Sequence, residues 1–196
     1  MVILNSKTVV SDSLETLLGL KKYCEIIKEV ESGEYENDSD FRKKFNGYFK
    51  VRQRPKDWYD KYYELLGKQR EEESSFEDLL GTLFPYNNSV EVSFVSKLMA
   101  SIDPSYPIWD SFVLKNLGLD KQWNKYNFKD KDIRIEKAAE IYEQIKTKYS
   151  DFLNSEEGKK CIKIFDELFP NYKGKINDVK KIDFWLWSKR KEEEKK

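Results

Sequence analysis

Between Ile135 and Leu153 the apolar residues Ala138, Ala139, Tyr142, Ile145, Tyr149 and Phe152 recur every three or four positions, the spacing that lines up one face of an α-helix. The same spacing, cut into lengths by capping residues, glycine and proline, runs through most of the chain. No alternating pattern longer than four residues interrupts it, so the stripes can be buried only by packing helix on helix. The expected class is all-α.

The boundaries follow from local chemistry. Ser11, Asp12 and Ser13 offer caps for a first stripe of Leu14, Leu17, Leu18, Tyr23, Ile26, Ile27 and Val30, which stops at Ser32-Gly33. A second helix is expected after Ser39-Asp40 with Phe41, Phe45, Tyr48 and Phe49. A third follows Pro55 with Trp58, Tyr62, Leu65 and Leu66, and a short fourth runs from Phe76 to Leu83, ended by Pro85. Beyond the 135–153 helix lie two more, Glu156 to Leu168, stopped by Pro170, and Asn177 to Lys189. With the pair at 93–119 described below, this predicts a compact bundle of about eight helices with a central helix-hairpin-helix-like element. The charged stretch Lys191 to Lys196 reads as a frayed tail.

At 196 residues, with 39% hydrophobic and 15% aromatic content, the chain can bury one core of ordinary size. A single domain over 1–190 is expected, with 1–74 as an N-terminal helical subdomain on a core of 75–190. The 36 basic and 36 acidic side chains cancel, so any nucleic-acid contact must be a local patch. The chain has no histidine, which excludes His-based triads, His-ligated metals and imidazole acid–base chemistry. Cys24 and Cys161 are too few for a cysteine-only cluster and read as packed thiols in a reducing compartment. No apolar run approaches the ~20 residues needed to cross a bilayer, and Met1 to Asn5 lacks the zones of a signal peptide. The expectation is a cytoplasmic, soluble monomer with no cofactor, no metal and no membrane association.

Charge is unevenly spread. Glu29 to Asp40 holds six acids and no base, whereas Phe41 to Lys56 holds Arg42, Lys43, Lys44, Lys50, Arg52, Arg54 and Lys56 and no acid. With Phe45, Tyr48 and Phe49 between them, these bases form either a grip on a phosphate backbone or a solvated helix face over core aromatics.

The stretch from Ser93 to Leu119 carries the chemistry. Phe94, Val95, Leu98, Met99 and Ile102 fall on one face of a helix that ends by Pro104, and Asp110 precedes a new stripe of Phe112, Val113, Leu117 and Leu119. Asp110 is placed as an N-cap, and Lys97 is expected on the polar side of its helix, so an amine and a fixed carboxylate can face one cleft.

Phe94-Val-Ser-Lys-Leu-Met-Ala-Ser-Ile102 followed by Tyr106-Pro-Ile-Trp-Asp-Ser-Phe-Val113 resembles the central region of the helix-hairpin-helix DNA glycosylases, in particular the 8-oxoguanine DNA glycosylase-like proteins. Ile182-Asp-Phe-Trp-Leu-Trp187 is similar to a pattern near the C-terminus of small microbial members. The resemblance implies duplex DNA as partner, a flipped oxidised purine as substrate, Lys97 as nucleophile and Asp110 as the essential aspartate. It places Asp183, Trp185 and Trp187 near the base pocket. The hairpin before the lysine helix usually carries a Gly-x-Gly turn that binds phosphate. Here Tyr86-Asn-Asn-Ser-Val-Glu91 stands in its place, leaving Asn87, Asn88 and Ser89, with Arg52 and Arg54, as the candidate backbone contacts. The interval from Lys97 to Asp110 is shorter than in the well-known members, and the iron–sulfur cysteines of one branch are lacking. Each residue also has a plain alternative: a solvated lysine, a helix cap, core tryptophans, an Asp183 paired with a nearby lysine. Two rival functions remain open, a catalytically inactive helical DNA-binding or interaction module on the same scaffold, and an unrelated helical protein that works through the Arg42–Lys56 face.

Overall fold

The computed structural model describes residues 13–33, 35, 38–123 and 129–194; at 13–15 and 187–194 only the backbone is described. The described residues form nine α-helices and no strand, an all-α bundle: α1 Ser13–Ser32, α2 Ser39–Phe49, α3 Lys56–Lys68, α4 Phe76–Leu83, α5 Val92–Ile102, α6 Ser111–Leu117, α7 Lys131–Asn154, α8 Glu156–Leu168 and α9 Asp178–Glu194. Short 3-10 turns follow α4 and α8 at Phe84–Tyr86 and Pro170–Tyr172. Each is placed by a proline that cannot continue an α-helix.

The caps explain most boundaries. Ser75 and Asp78 form a reciprocal capping box at the start of α4. Asp130 caps α7 by accepting from the amides of Asp132 and Ile133. Ser155 closes α7 and opens α8 at once: its hydroxyl donates to Phe152 O and its Oγ accepts from Gly158 N–H. α2 is capped by Asp38, not by the Ser39-Asp40 pair, with amides of Asp40 and Phe41 donating to its carboxylate. Those two bonds hold the Asp38 carboxyl below its ordinary range. α6 ends at Gly118, whose φ of 68° is the left-handed conformation that glycine adopts at no steric cost. Helix α9 runs to Glu194, into the stretch read as a charged tail, because Lys191-Glu-Glu-Glu contains only good helix formers and no breaker; Lys195 and Lys196 lie outside the described residues. Of the first helix's expected caps, Ser11 and Asp12 lie outside the described residues.

One core runs through the bundle, from Leu20 on α1 to Leu186 on α9. The N-terminal helices share it, with α1 and α3 packing on α5 and α3 also on α4. Aromatic rings dominate here: Trp58 stacks on Tyr62 at 5.0 Å, and Phe45 lies 4.6 Å from Phe49. Tyrosine hydroxyls pin neighbouring helices, Tyr62 to Phe94 O at 3.0 Å and Tyr63 to Asn46 Oδ1 at 2.9 Å. Such bonds let the polar ends of large rings be buried without loss. α9 closes the far side, packing on α6, α7 and α8. Among the described residues, no helix is long and apolar enough to cross a membrane.

Candidate functional site

α4 and α5 pack against each other and are joined by residues 84–91, the hairpin anticipated from the sequence. Asn88 takes a φ of 48°, the left-handed conformation that asparagine tolerates better than most residues. Helix α5 then runs through the middle of the bundle, with α1, α3 and α4 packed around it. That position corrects the expected polar face. Lys97 is buried, only 8% exposed, as are Ser96 and Ser101 on the same helix. A lysine is rarely withdrawn to this degree. Its ammonium lies 5.3 Å from the centre of the Phe94 ring, one turn back along α5.

Asp110 caps α6 as expected, its carboxylate accepting from Val113 N–H at 2.7 Å. The connection that delivers it is held at three points. Ser105 N–H donates to Asp103 Oδ1 at 2.8 Å, the Tyr142 hydroxyl donates to Pro107 O at 2.9 Å, and Trp109 N–H donates to Ser96 Oγ at 2.9 Å. The last bond matters most. Lys97 follows Ser96 and Asp110 follows Trp109, so the stretches of backbone that carry the amine and the carboxylate meet at a buried hydrogen bond. The Trp109 indole is locked in place by Phe76, Tyr142 and Trp123.

The five backbone-contact candidates come from two loops that the fold ties together. Arg54 grips Glu91 through two charge-assisted bonds, Nε to Oε1 at 2.8 Å and Nη2 to Oε2 at 2.9 Å, and Asn87 Nδ2 donates to the same Oε1 at 2.7 Å. Lys50, Gln53 and Asn88, the non-glycine residues with left-handed φ among the described residues, all lie in these two loops. Arg52 and Asn88 are exposed, and Ser89 is half-buried. The expectation for Arg54 is corrected: Nη1 donates to Gln53 O and the other nitrogens are taken by Glu91, so the guanidinium is not presented to a phosphate.

Of the two readings of the basic run, the surface ion pairs and the buried rings favour the helix face over core aromatics. Arg42 and Lys56 pair with Asp60, Lys43 with Asp40 and Lys44 with Glu29. Phe45 and Phe49 are core residues. Lys43, Lys44, Lys50, Arg52 and Lys56 of that stretch are exposed.

On α9, Asp183 and Trp185 are buried at 1% exposure each, which is interior packing and not the lining of an open pocket. The Trp187 side chain lies outside the described residues. Asp183 pairs with Lys180 at 3.1 Å and accepts from the Tyr149 hydroxyl at 2.8 Å. Burial pushes its carboxyl above the ordinary range. Lys180 and Tyr149 oppose that rise, and the negative charge of Asp110 adds to it. The α9 carboxylate therefore shares the field of the capping carboxylate of α6. The Lys180 ammonium also sits over Tyr23 at 5.1 Å, which joins α9 to α1.

Sequence reasoning missed the Arg54–Glu91 pair and the Phe94 ring that Arg54 and Lys97 both approach. The guanidinium carbon of Arg54 is 4.8 Å from that ring's centre. The alternation of acid and base at 54 and 91 carries no local signal, because the partners are brought together only by the packing of α3 on α5. A cavity of about 450 Å³ lies elsewhere, between α7, α8 and the start of α9, and is lined by Leu153, Ile162, Lys163, Asp166, Lys173 and Asp178 among others. No protein-family model, curated protein or solved structure matches the chain.

Proposed function

We propose that the protein is a DNA glycosylase of the helix-hairpin-helix type, acting on an oxidised purine such as 8-oxoguanine through Lys97 and Asp110. One observation carries this reading: a lysine withdrawn from water sits on a central helix whose Ser96 hydroxyl oxygen accepts from the backbone N–H of Trp109, the residue preceding a capped aspartate. An ordinary surface lysine has no reason to occupy such a place. The neutral amine is the form a nucleophile must take.

In the proposed reaction the damaged nucleotide leaves the duplex stack, and the Lys97 Nζ lone pair forms a bond to C1′ of its sugar. The N-glycosidic bond breaks, and the base departs with the bonding electrons and takes up a proton. Asp110, fixed by its cap, stabilises the positive charge that develops on the sugar and accepts a proton from the attacking nitrogen. Opening of the sugar leaves an imine on Lys97. Loss of a proton from C2′ then expels the 3′ phosphate, which would make the enzyme an AP lyase as well. Exposed Arg52 is the group beside the hairpin suited to a phosphate, while the amides of Asn87 and Asn88 donate to Phe84 O.

A second reading has an observation of its own. The bases of the 41–56 stretch are mostly paired internally, and Glu91 occupies the hairpin, which suits a scaffold that has lost catalysis. Borohydride trapping on a duplex holding one 8-oxoguanine separates the two. The glycosylase reading expects a covalent adduct that Lys97→Gln abolishes. Salt-dependent DNA binding with neither adduct nor base release would leave the inactive module, and no DNA binding at low salt would remove both.

A further inference from the structure

The Phe94 ring is shared by two cations, Arg54 at 4.8 Å and Lys97 at 5.3 Å from its centre. Arg54 is immobilised by its two bonds to Glu91, and Glu91 is itself only 6% exposed. We infer that Arg54 and Glu91 balance one another beside Lys97, each offsetting the other's effect on the proton affinity of that amine. The inference deepens the proposed reaction and takes its purpose from it.

The physical basis is the balance of the pair. Arg54 and Lys97 are no more than about 10 Å apart across one ring, and at an effective dielectric of about 20 a unit charge there is worth roughly one pH unit in the titration of the amine. With both partners present their fields largely cancel. Removing either uncovers the other, and the two removals act in opposite directions. An uncovered Glu91 favours the ammonium; an uncovered Arg54 favours the neutral amine.

Among the described residues, the other charges named here on the elements around α5 are paired or exposed. On α3, Asp60 is held by Arg42 and Lys56, and Glu64 by Lys61 and Lys68. On α1, Glu29 is held by Lys44, while Lys21, Lys22, Glu25, Lys28 and Glu31 are exposed, as are Asp57 on α3 and Glu77 and Asp78 on α4. Asp103 is exposed at the end of α5, and Asp110, half-buried at the cap of α6, is the further carboxylate whose backbone adjoins the lysine turn. It is untouched by changes at Arg54 and Glu91.

The test is an NMR titration of the lysine Cε and Nζ signals in the full chain, with Lys97→Arg to assign the resonance. Arg54→Gln should raise the Lys97 midpoint by about one pH unit, Glu91→Gln should lower it by a similar amount, and the double variant should return it close to the parent value. Arg54→Lys, which keeps the charge, should leave it near the parent and guards against a folding defect in Arg54→Gln. Midpoints that stay in place in either single variant, or that move the same way in both, would overturn the inference. The titration needs no DNA. Displaced midpoints with no trapped adduct would remove the glycosylase reading alone, whereas an adduct with fixed midpoints would remove this inference alone.

Discussion

Lys180→Met tests how the interior tolerates charge beside the candidate site. Lys180 and Asp183 are each 1% exposed and pair at 3.1 Å, with Tyr149 holding the second carboxylate oxygen. Methionine fills much of the lysine stem's volume but leaves the carboxylate with the tyrosine bond as its remaining side-chain partner. Breaking one half of a buried pair costs about 3–5 kcal/mol, which for a chain of this size lowers the melting temperature by roughly 10 °C at neutral pH. The pH dependence has a definite sign. Burial already holds the Asp183 carboxyl above its unfolded value, and the variant removes the main opposing influence, Lys180. A folded carboxyl titrating above the unfolded one binds more protons in the native state, so stability falls as pH rises from about 4 through the folded midpoint. The deficit of Lys180→Met should therefore be largest at pH 7–8 and shrink toward pH 5, and Lys180→Met with Asp183→Leu should recover most of it. Thermal melts followed by circular dichroism across that range are the assay. A neutral-pH loss under about 2 °C, or a deficit independent of pH, would refute the reasoning.

Asp110→Asn keeps an acceptor at the cap of α6 and removes the charge; it should cost under about 0.5 kcal/mol in urea unfolding yet slow adduct formation on 8-oxoguanine duplex by on the order of 100-fold. At Gly158 an added Cβ would lie 1.9 Å from Phe152 O and 2.8 Å from its carbonyl carbon. Gly158→Ala must therefore open the α7–α8 corner, with an expected loss of about 3 kcal/mol by denaturant titration. In DNA binding measured against salt, Arg52→Gln should reduce the slope by about one, whereas Arg54→Gln should not reduce it, since Glu91 already cancels that charge.

Most helices were legible because their signals are local. Periodicity and stop residues placed α4 at Phe76–Leu83 and α8 at Glu156–Leu168, and the Asp110 cap is visible as a carboxylate just ahead of an apolar stripe. What failed is what packing decides. Lys97 reads as solvent-facing because Phe94, Val95, Leu98 and Met99 account for one apolar face; its burial comes from α1, α3 and α4 surrounding α5. The basic run leaves two readings open in sequence because its acids, Glu29, Asp60 and Glu91, lie outside it and meet it only in the folded bundle. Asp183 could be anticipated as a lysine's partner at i,i+3, but not the burial of both, which depends on α9 lying across Tyr149 and Tyr23.

Peptide mapping of the borohydride-reduced product by mass spectrometry bears most directly on the chemistry proposed for Lys97. A sugar remnant should be found on the Lys97 amine when the full chain is reduced on a duplex containing 8-oxoguanine, and absent on an undamaged duplex. A remnant on any other lysine, or none while the protein is bound to that duplex, would contradict it.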